Sequence, residues 1–247
     1  MVDFMERDTK GLAIVINHTK ARESDLRLTL LTPDRGLLNA YVFGSRKSIK
    51  TIKAPLYTEG NFSLYQNGEN GYMTIKDIDV LSTHDVIFES LDRITMASLF
   101  SELIIAAKDV DAYLYGLYTS SLDGLESNRS DLVASVFIAK YLKHLGLCGN
   151  WHICPDCGRE YASDEILGFS SFDRVAVCSE CDTMDKALIL PPNARRFLVS
   201  ASEDNIRNCY SARISDEQIH RILGYLIRTL RIVFSSRLKT LDSGLLI

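Results

Sequence analysis

The hydrophobic period of this chain changes once, near residue 82, and that switch limits the fold more than any other feature of its 247 residues. Before it, apolar residues come in short runs bounded by turn formers. Leu26, Leu28 and Leu30 alternate with Arg27, Thr29 and Leu31, the two-residue repeat of a strand with one buried face. Segments 11–18 and 37–43 read as neighbouring strands. Between the second and third runs stand Pro33, Asp34, Arg35 and Gly36, a turn because proline pre-sets φ and glycine accepts a positive one. Segments 61–66 and 72–81, joined through Asn67, Gly68, Glu69, Asn70 and Gly71, complete five strands. Five short strands with no long helix among them predict a small barrel, either SH3-like or an OB-fold.

Beyond residue 82 the repeat becomes helical. Ala97, Phe100, Ile104 and Ala107 recur at three- and four-residue steps, with Leu103 beside them. A second helix is expected from a Ser130 or Asp131 cap to near Gly146, with Val133, Val136, Phe137, Lys140, Tyr141 and Leu145 on one face. Ile219, Ile222, Leu223, Leu226, Ile227 and Leu230 mark a third, whose arginines, Arg221, Arg228 and Arg231, fall on a different sector. The expected division is therefore a strand domain over 1–82 and a mainly α-helical domain over 83–247. No apolar run reaches the ~18 residues of a membrane span, and the N-terminus lacks a secretory pattern, so a cytoplasmic protein is expected.

Four of the six cysteines form two Cys-x2-Cys pairs, Cys154 with Cys157 and Cys178 with Cys181, twenty residues apart. A two-residue spacer lets a tight turn aim both thiolates at one ion, and four such ligands suit tetrahedral zinc. A zinc finger over about 150–185, closed by a hairpin near 160–177 and relieved at Gly158, follows from that spacing. The competing reading is a dithiol redox site, which two pairs at this spacing suit less well than one structural ion. Four thiolates leave no open position for substrate, so the metal supplies folding energy. His152 reads as an exposed loop residue, and Cys148 and Cys209 as small buried ones. No glycine-rich phosphate loop, Ser-His-Asp arrangement or His-Glu-x-x-His occurs, and no enzyme is expected.

The net charge of -4 hides an uneven distribution. Between Lys20 and Lys53 eight basic residues face three acidic ones: Lys20, Arg22, Arg27, Arg35, Arg46, Lys47, Lys50 and Lys53 against Glu23, Asp25 and Asp34. A basic strand domain of this kind attracts phosphates with salt-sensitive affinity, and Gly44, Ser45, Arg46, Lys47 and Ser48 place backbone amides beside two cations. Tyr41, Phe43, Tyr57, Phe62 and Tyr65 are candidates for base stacking, but most are expected in the barrel core. A second basic excess spans Arg195 to Lys239. It fits an acidic peptide, an auxiliary DNA contact, or the solvated side of a helix.

In order, the strand-rich start with Glu23-Ser24-Asp25 and Arg35-Gly36, the Gly44-Ser45-Arg46-Lys47-Ser48 loop, the helical body, the Cys154-Pro155-Asp156-Cys157-Gly158 motif and a final arginine-bearing helix resemble the bacterial recombination mediator family RecO. The resemblance runs from about Lys10 to Lys239. It implies an N-terminal five-stranded OB-fold, a helical domain and an inserted four-cysteine zinc finger. It further implies DNA repair by binding single- and double-stranded DNA, annealing complementary strands and, with RecR, loading RecA onto DNA covered by single-stranded DNA-binding protein. Carried over, the DNA-contact candidates are Arg22, Arg27, Arg35, Arg46 and Lys47, to which charge alone adds Lys50 and Lys53. Arg195, Arg196, Arg221 and Arg228 are candidates for holding the acidic tail of the single-stranded DNA-binding protein. A zinc-finger transcription regulator is the alternative; it would prefer one duplex sequence, where a mediator would not.

Overall fold

The computed structural model describes residues 8–21, 25–43, 54–68, 71–107, 109–172, 175–184, 188–234 and 238–245. Five strands, β1 (Asp8–Lys20), β2 (Leu26–Thr32), β3 (Gly36–Val42), β4 (Glu59–Gln66) and β5 (Met73–Ser82), close into a barrel in the order β1-β2-β3-β5-β4. That is the five-strand OB-fold barrel, and its bounds lie within three residues of those read from the alternation. β1 serves two neighbours: its first half pairs with β4 and its second with β2. A register shift between Val15 and Asn17 lets it turn this corner. Closure comes from two parallel pairs, Ala40 with Met73 and Tyr41 with Thr74.

The barrel interior is filled by Ala13, Val15, Leu28, Leu30, Ala40, Val42, Phe62, Leu64 and Ile75. Leu28 and Leu30 point inward while Arg27 stays exposed, as the alternation requires. In the β2–β3 turn Thr32 Oγ1 accepts from the Arg35 N–H at 3.1 Å and donates to the Gly36 carbonyl at 3.0 Å. Gly36 has φ +63°, and a Cβ there would sit 2.8 Å from the Val110 carbonyl. Glycine is needed at this position for both conformation and space.

A short 3-10 turn over Asp85–Glu89 leads to α1 (Leu91–Ala106) and α2 (Ala112–Ser127), followed by α3 (Ser130–His144), α4 (Pro192–Glu203), α5 (Ile206–Tyr210), α6 (Asp216–Val233) and α7 (Lys239–Asp242). Packing divides the chain into two compact units, Met1–Glu126 and Ser127–Ile247, so α1 and most of α2 go with the barrel. Tyr115 on α2 donates to Glu59 Oε1 on β4 at 2.6 Å, and Tyr57 meets Ser98 on α1. In the second unit α3 packs against α4 and α6, and α6 buries the six apolar residues that its period singles out.

Two sequence expectations are corrected here. The cap of α3 is Arg129, in extended conformation, not Ser130 or Asp131. Asp131 instead accepts from the Leu132 N–H and clamps Arg129 at 2.8 Å, while Asp216 holds Arg129 at 2.7 Å. This anchored arginine sets the helix start one residue early. α3 also lacks a single apolar face: eleven of its fifteen residues are buried, because neighbours cover several sides. No helix among the described residues is long and apolar enough to cross a membrane.

Candidate metal centre and nucleic-acid face

Cys154, Cys157, Cys178 and Cys181 gather with all four sulfurs within 4.8 Å of one another. A tetrahedron with metal–sulfur distances near 2.3 Å separates its sulfurs by about 3.8 Å, and Cys157 Sγ lies 3.8 Å from Cys178 Sγ. The donor set therefore fits a four-thiolate metal ion. Each pair is held by a tight backbone turn. Gly158 donates its N–H to the Cys154 carbonyl at 2.9 Å and Cys154 donates to the Arg159 carbonyl at 2.8 Å; Gly158 takes φ +73°, the left-handed conformation that lets the chain double back. In the second turn Cys181 donates to the Cys178 carbonyl at 3.1 Å.

The expected hairpin is shorter than 160–177. Among the described residues only β6 (Gly168–Phe169) and β7 (Ala176–Val177) pair as a ladder, while Glu160 bridges back to Ile153 and Leu167 to Leu190. Glu160 is taken by the first cysteine turn and is not available to a longer ladder. Arg159 and Glu165 tie the turns together through two bonds, at 3.0 and 2.7 Å. Those bonds hold the Glu165 carboxyl down to about 2, against the opposing effect of burial and with help from the Ala162 and Ser179 N–H groups.

Four thiols this close cannot all ionise alone. Burial works against the Cys154 thiolate, yet N–H groups of Cys178, Cys157 and Asp156 outweigh it and bring the thiol down to about 6. Cys181 goes the other way, raised first by sharing a hydrogen bond with Cys178 and then by burial. A bound cation removes that conflict by stabilising all four charges. His152 is exposed and is not among the clustered ligands, Cys209 is buried, and Cys148 is half-buried.

A different kind of site lies on the barrel. Tyr41 at the end of β3, Phe43 just beyond it and Tyr72 just before β5 form one aromatic group. Tyr41 and Phe43 are stacked at 6.3 Å, and Tyr72 meets them edge-on at 5.6 and 5.8 Å. Phe43 and Tyr72 are 47% and 49% exposed. The parallel β3–β5 closure brings them together, and Arg27 joins because it pairs with Tyr41 across β2 and β3. With Lys20, Thr19, Ala21 and Asp25 they line a concavity of about 480 Å³ between the ends of β1–β2 and β4–β5. Neither Arg27 nor Lys20 forms an ion pair among the described residues. Aromatic faces beside unpaired cations suit a single strand, whose bases stack while its phosphates meet the charges.

Family models cover both parts of the chain. The model described as "Recombination protein O N terminal" matches residues 5–84, and "Recombination protein O C terminal" matches residues 89–242. The chain belongs to the RecO family. RecO proteins act in DNA repair and recombination. The chain is 25% identical over 244 residues to the "DNA repair protein RecO" of Dehalococcoides mccartyi, covering 95% of this chain and 94% of that protein. It is 24% identical over 227 residues to that of Clostridium novyi, covering 88% and 87%. The protein of the same name from Heliobacterium modesticaldum is 31% identical over 154 residues, covering 60% of this chain and 55% of that protein.

Of the seven cations expected on the RecO barrel, Arg22, Arg46, Lys47, Lys50 and Lys53 lie outside the described residues. Arg27 and Arg35 are not brought together. They sit at opposite ends of the β2–β3 hairpin, about 17 Å apart along the strand at 3.4 Å per residue, and Arg35 lies 3.7 Å from Asp34. Among the stacking candidates Tyr57 and Phe62 are buried as expected, whereas Phe43 is exposed and Tyr41 half-buried. Tyr72, the first residue of the expected 72–81 strand, stands just before β5 and was not among the stacking candidates, because only the β3–β5 closure brings it to Tyr41 and Phe43. The C-terminal arginines separate too: Arg221 pairs with Glu217 at 2.6 Å, Arg228 donates to the Gly224 carbonyl, and Arg195 is buried on α4.

Proposed function

We propose that this RecO protein handles DNA strands on the barrel face formed by Arg27, Lys20, Tyr41, Phe43 and Tyr72. The observation that carries this is the exposed aromatic group placed beside two cations without ion-pair partners among the described residues. Soluble proteins usually withdraw such rings or cover them. Here they remain open at the rim between the first and last strand loops, where OB-folds take oligonucleotides. A strand laid there stacks bases on the rings and neutralises phosphates on the side chains, with little sequence preference.

Annealing follows from the same surface. Two complementary strands repel through their phosphates, and a basic face lowers that repulsion so that pairing, already favourable, becomes faster. The basic residues from Arg46 to Lys53 belong to this reading by sequence, as Arg35 does for a strand or duplex running along the barrel. No covalent bond is made or broken. Cooperation with RecR, loading of RecA and capture of the acidic tail of single-stranded DNA-binding protein complete the proposed role. The four cysteines hold one structural zinc, which fixes the cysteine turns and supplies no open coordination position.

Purified protein should accelerate annealing of complementary single strands, measured across a salt series. The acceleration should fall as salt rises, because counterion release drives the contact. No acceleration at low salt would overturn the reading. A strong preference for one duplex sequence would favour a transcription regulator.

A further inference from the structure

The first cysteine turn and α4 enclose a second groove, of about 530 Å³, lined by Trp151, Tyr161, Glu160, Arg195, Arg196 and Asp204, among others. Its size lies within the range of small-molecule sites. Arg195 is the unusual member. It is only 6% exposed, its Nη2 donates to the Ala162 carbonyl, and its guanidinium lies 5.5 Å from the centre of the Tyr161 ring. Its Nη1 has no hydrogen-bond partner, and no carboxylate pairs with it among the described residues. A desolvated cation with an unpaired donor is costly to fold around. An oxyanion from outside would satisfy it, and the planar guanidinium fork matches phosphate in particular.

The rest of the lining narrows the ligand. Arg196 is exposed beside Arg195 and adds a second charge at the mouth. Glu160 and Asp204 bring carboxylates to the same groove, and these would repel an acidic peptide. A nucleotide, by contrast, carries both a phosphate and base N–H donors, such as the exocyclic amino groups of adenine and cytosine. Tyr161, half-buried at the groove, supplies aromatic surface for its base. We propose that this groove binds one nucleotide of a nucleic-acid strand, with Arg195 and Arg196 on the phosphate and Glu160 and Asp204 accepting from the base. The protein then has a nucleic-acid contact on its second unit as well as on the barrel, and this one stands whether or not the barrel face binds DNA.

Trp151 is the sole tryptophan in the chain, so its fluorescence reports on this groove alone. Zinc-loaded full-length protein is titrated with dAMP up to about 10 mM, the range of a few-contact ligand, by Trp151 fluorescence and by calorimetry in parallel. Saturable binding by both is expected, with inorganic phosphate competing. Arg195→Gln should abolish it, and Arg196→Gln, at an exposed position that leaves folding intact, should weaken it about tenfold. Phe43→Ala should leave the Trp151 fluorescence titration unchanged even if it lowers the total heat, which separates this site from the barrel. Absence of heat and of a fluorescence change would overturn the proposal. So would unaltered binding in both arginine variants, or a glutamate-rich peptide binding where dAMP does not.

Discussion

Replacing Phe43 with alanine and, separately, Arg27 with alanine should weaken single-strand binding in two different ways. Phe43 is 47% exposed and already stacked on Tyr41 at 6.3 Å, so it offers one open face to one base. Stacking of a base on an aromatic side chain contributes about 1–3 kcal/mol. With Tyr41 and Tyr72 still in place, the lower part of that range applies, about 1–2 kcal/mol, or roughly 5- to 30-fold in Kd. This loss releases no counterions and should be the same at every salt concentration. In the proposed placement Arg27 instead meets a phosphate, and each such contact on a single strand contributes about 0.7 to the slope of log K against log salt. Over an approximately fourfold rise in salt, the gap between wild type and Arg27→Ala should narrow by about 2.5-fold. Fluorescence anisotropy of a labelled thymidine oligonucleotide, from about 50 to 200 mM salt, separates the two behaviours. Both residues are exposed, so the melting temperature should hardly move. An unchanged Kd for Phe43→Ala, or an unchanged slope for Arg27→Ala, would refute the placement of the strand on this face.

Three other outcomes follow from the packing. Cys178→Ser should lower metal content from one ion per chain and make residues 154–181 sensitive to proteolysis, because a closed site of this kind supplies folding energy; full metal retention would contradict it. Glu165→Gln should destabilise the metal-loaded protein near neutral pH by about 1.5–3 kcal/mol, the usual effect of losing bonds to a charged group. The folded carboxyl titrates at about 2 against an ordinary 4.5, so its contribution is complete above about 4.5 and disappears as pH falls towards 2. The gap between wild type and variant in denaturant melts should close over that window, and a constant gap would count against the Arg159 contact. Tyr115→Phe should cost the barrel unit about 1–3 kcal/mol by leaving Glu59 without its 2.6 Å donor. Burial, reinforced by Glu59, raises the Tyr115 hydroxyl well above its usual value; the contribution is therefore full below pH 10 and falls as pH rises past it.

The strands were legible because each alternates against a single barrel core. Leu28 and Leu30 point in and Arg27 points out, and the turn at Gly36 carries its own chemistry. The cysteine turns were equally legible, since spacing alone aims both thiolates of each pair at one point. α2 was harder to read. Leu114, Tyr115, Leu117, Tyr118, Leu122 and Leu125 are all buried, and a helix covered on several sides loses the clean stripe on which periodicity depends. α4 begins at Pro192 after a second proline, a pair that suggests a break when it in fact opens the helix. The stacking group was hidden for a topological reason. Phe43 and Tyr72 lie just outside their strands and meet through the β3–β5 closure, a pairing that joins residues far apart in sequence. Arg195 and Arg196 looked alike in a list of charges, and only packing separates the buried one from the exposed one.

Photocrosslinking locates the bound strand most directly. A single-stranded oligonucleotide carrying 5-iodouracil is irradiated with the full-length protein at low salt, and the adducts are mapped by mass spectrometry. Adducts at Tyr41, Phe43 or Tyr72, diminished by Arg27→Ala, are expected. Efficient crosslinking that spares all three rings would contradict a strand bound at this end of the barrel.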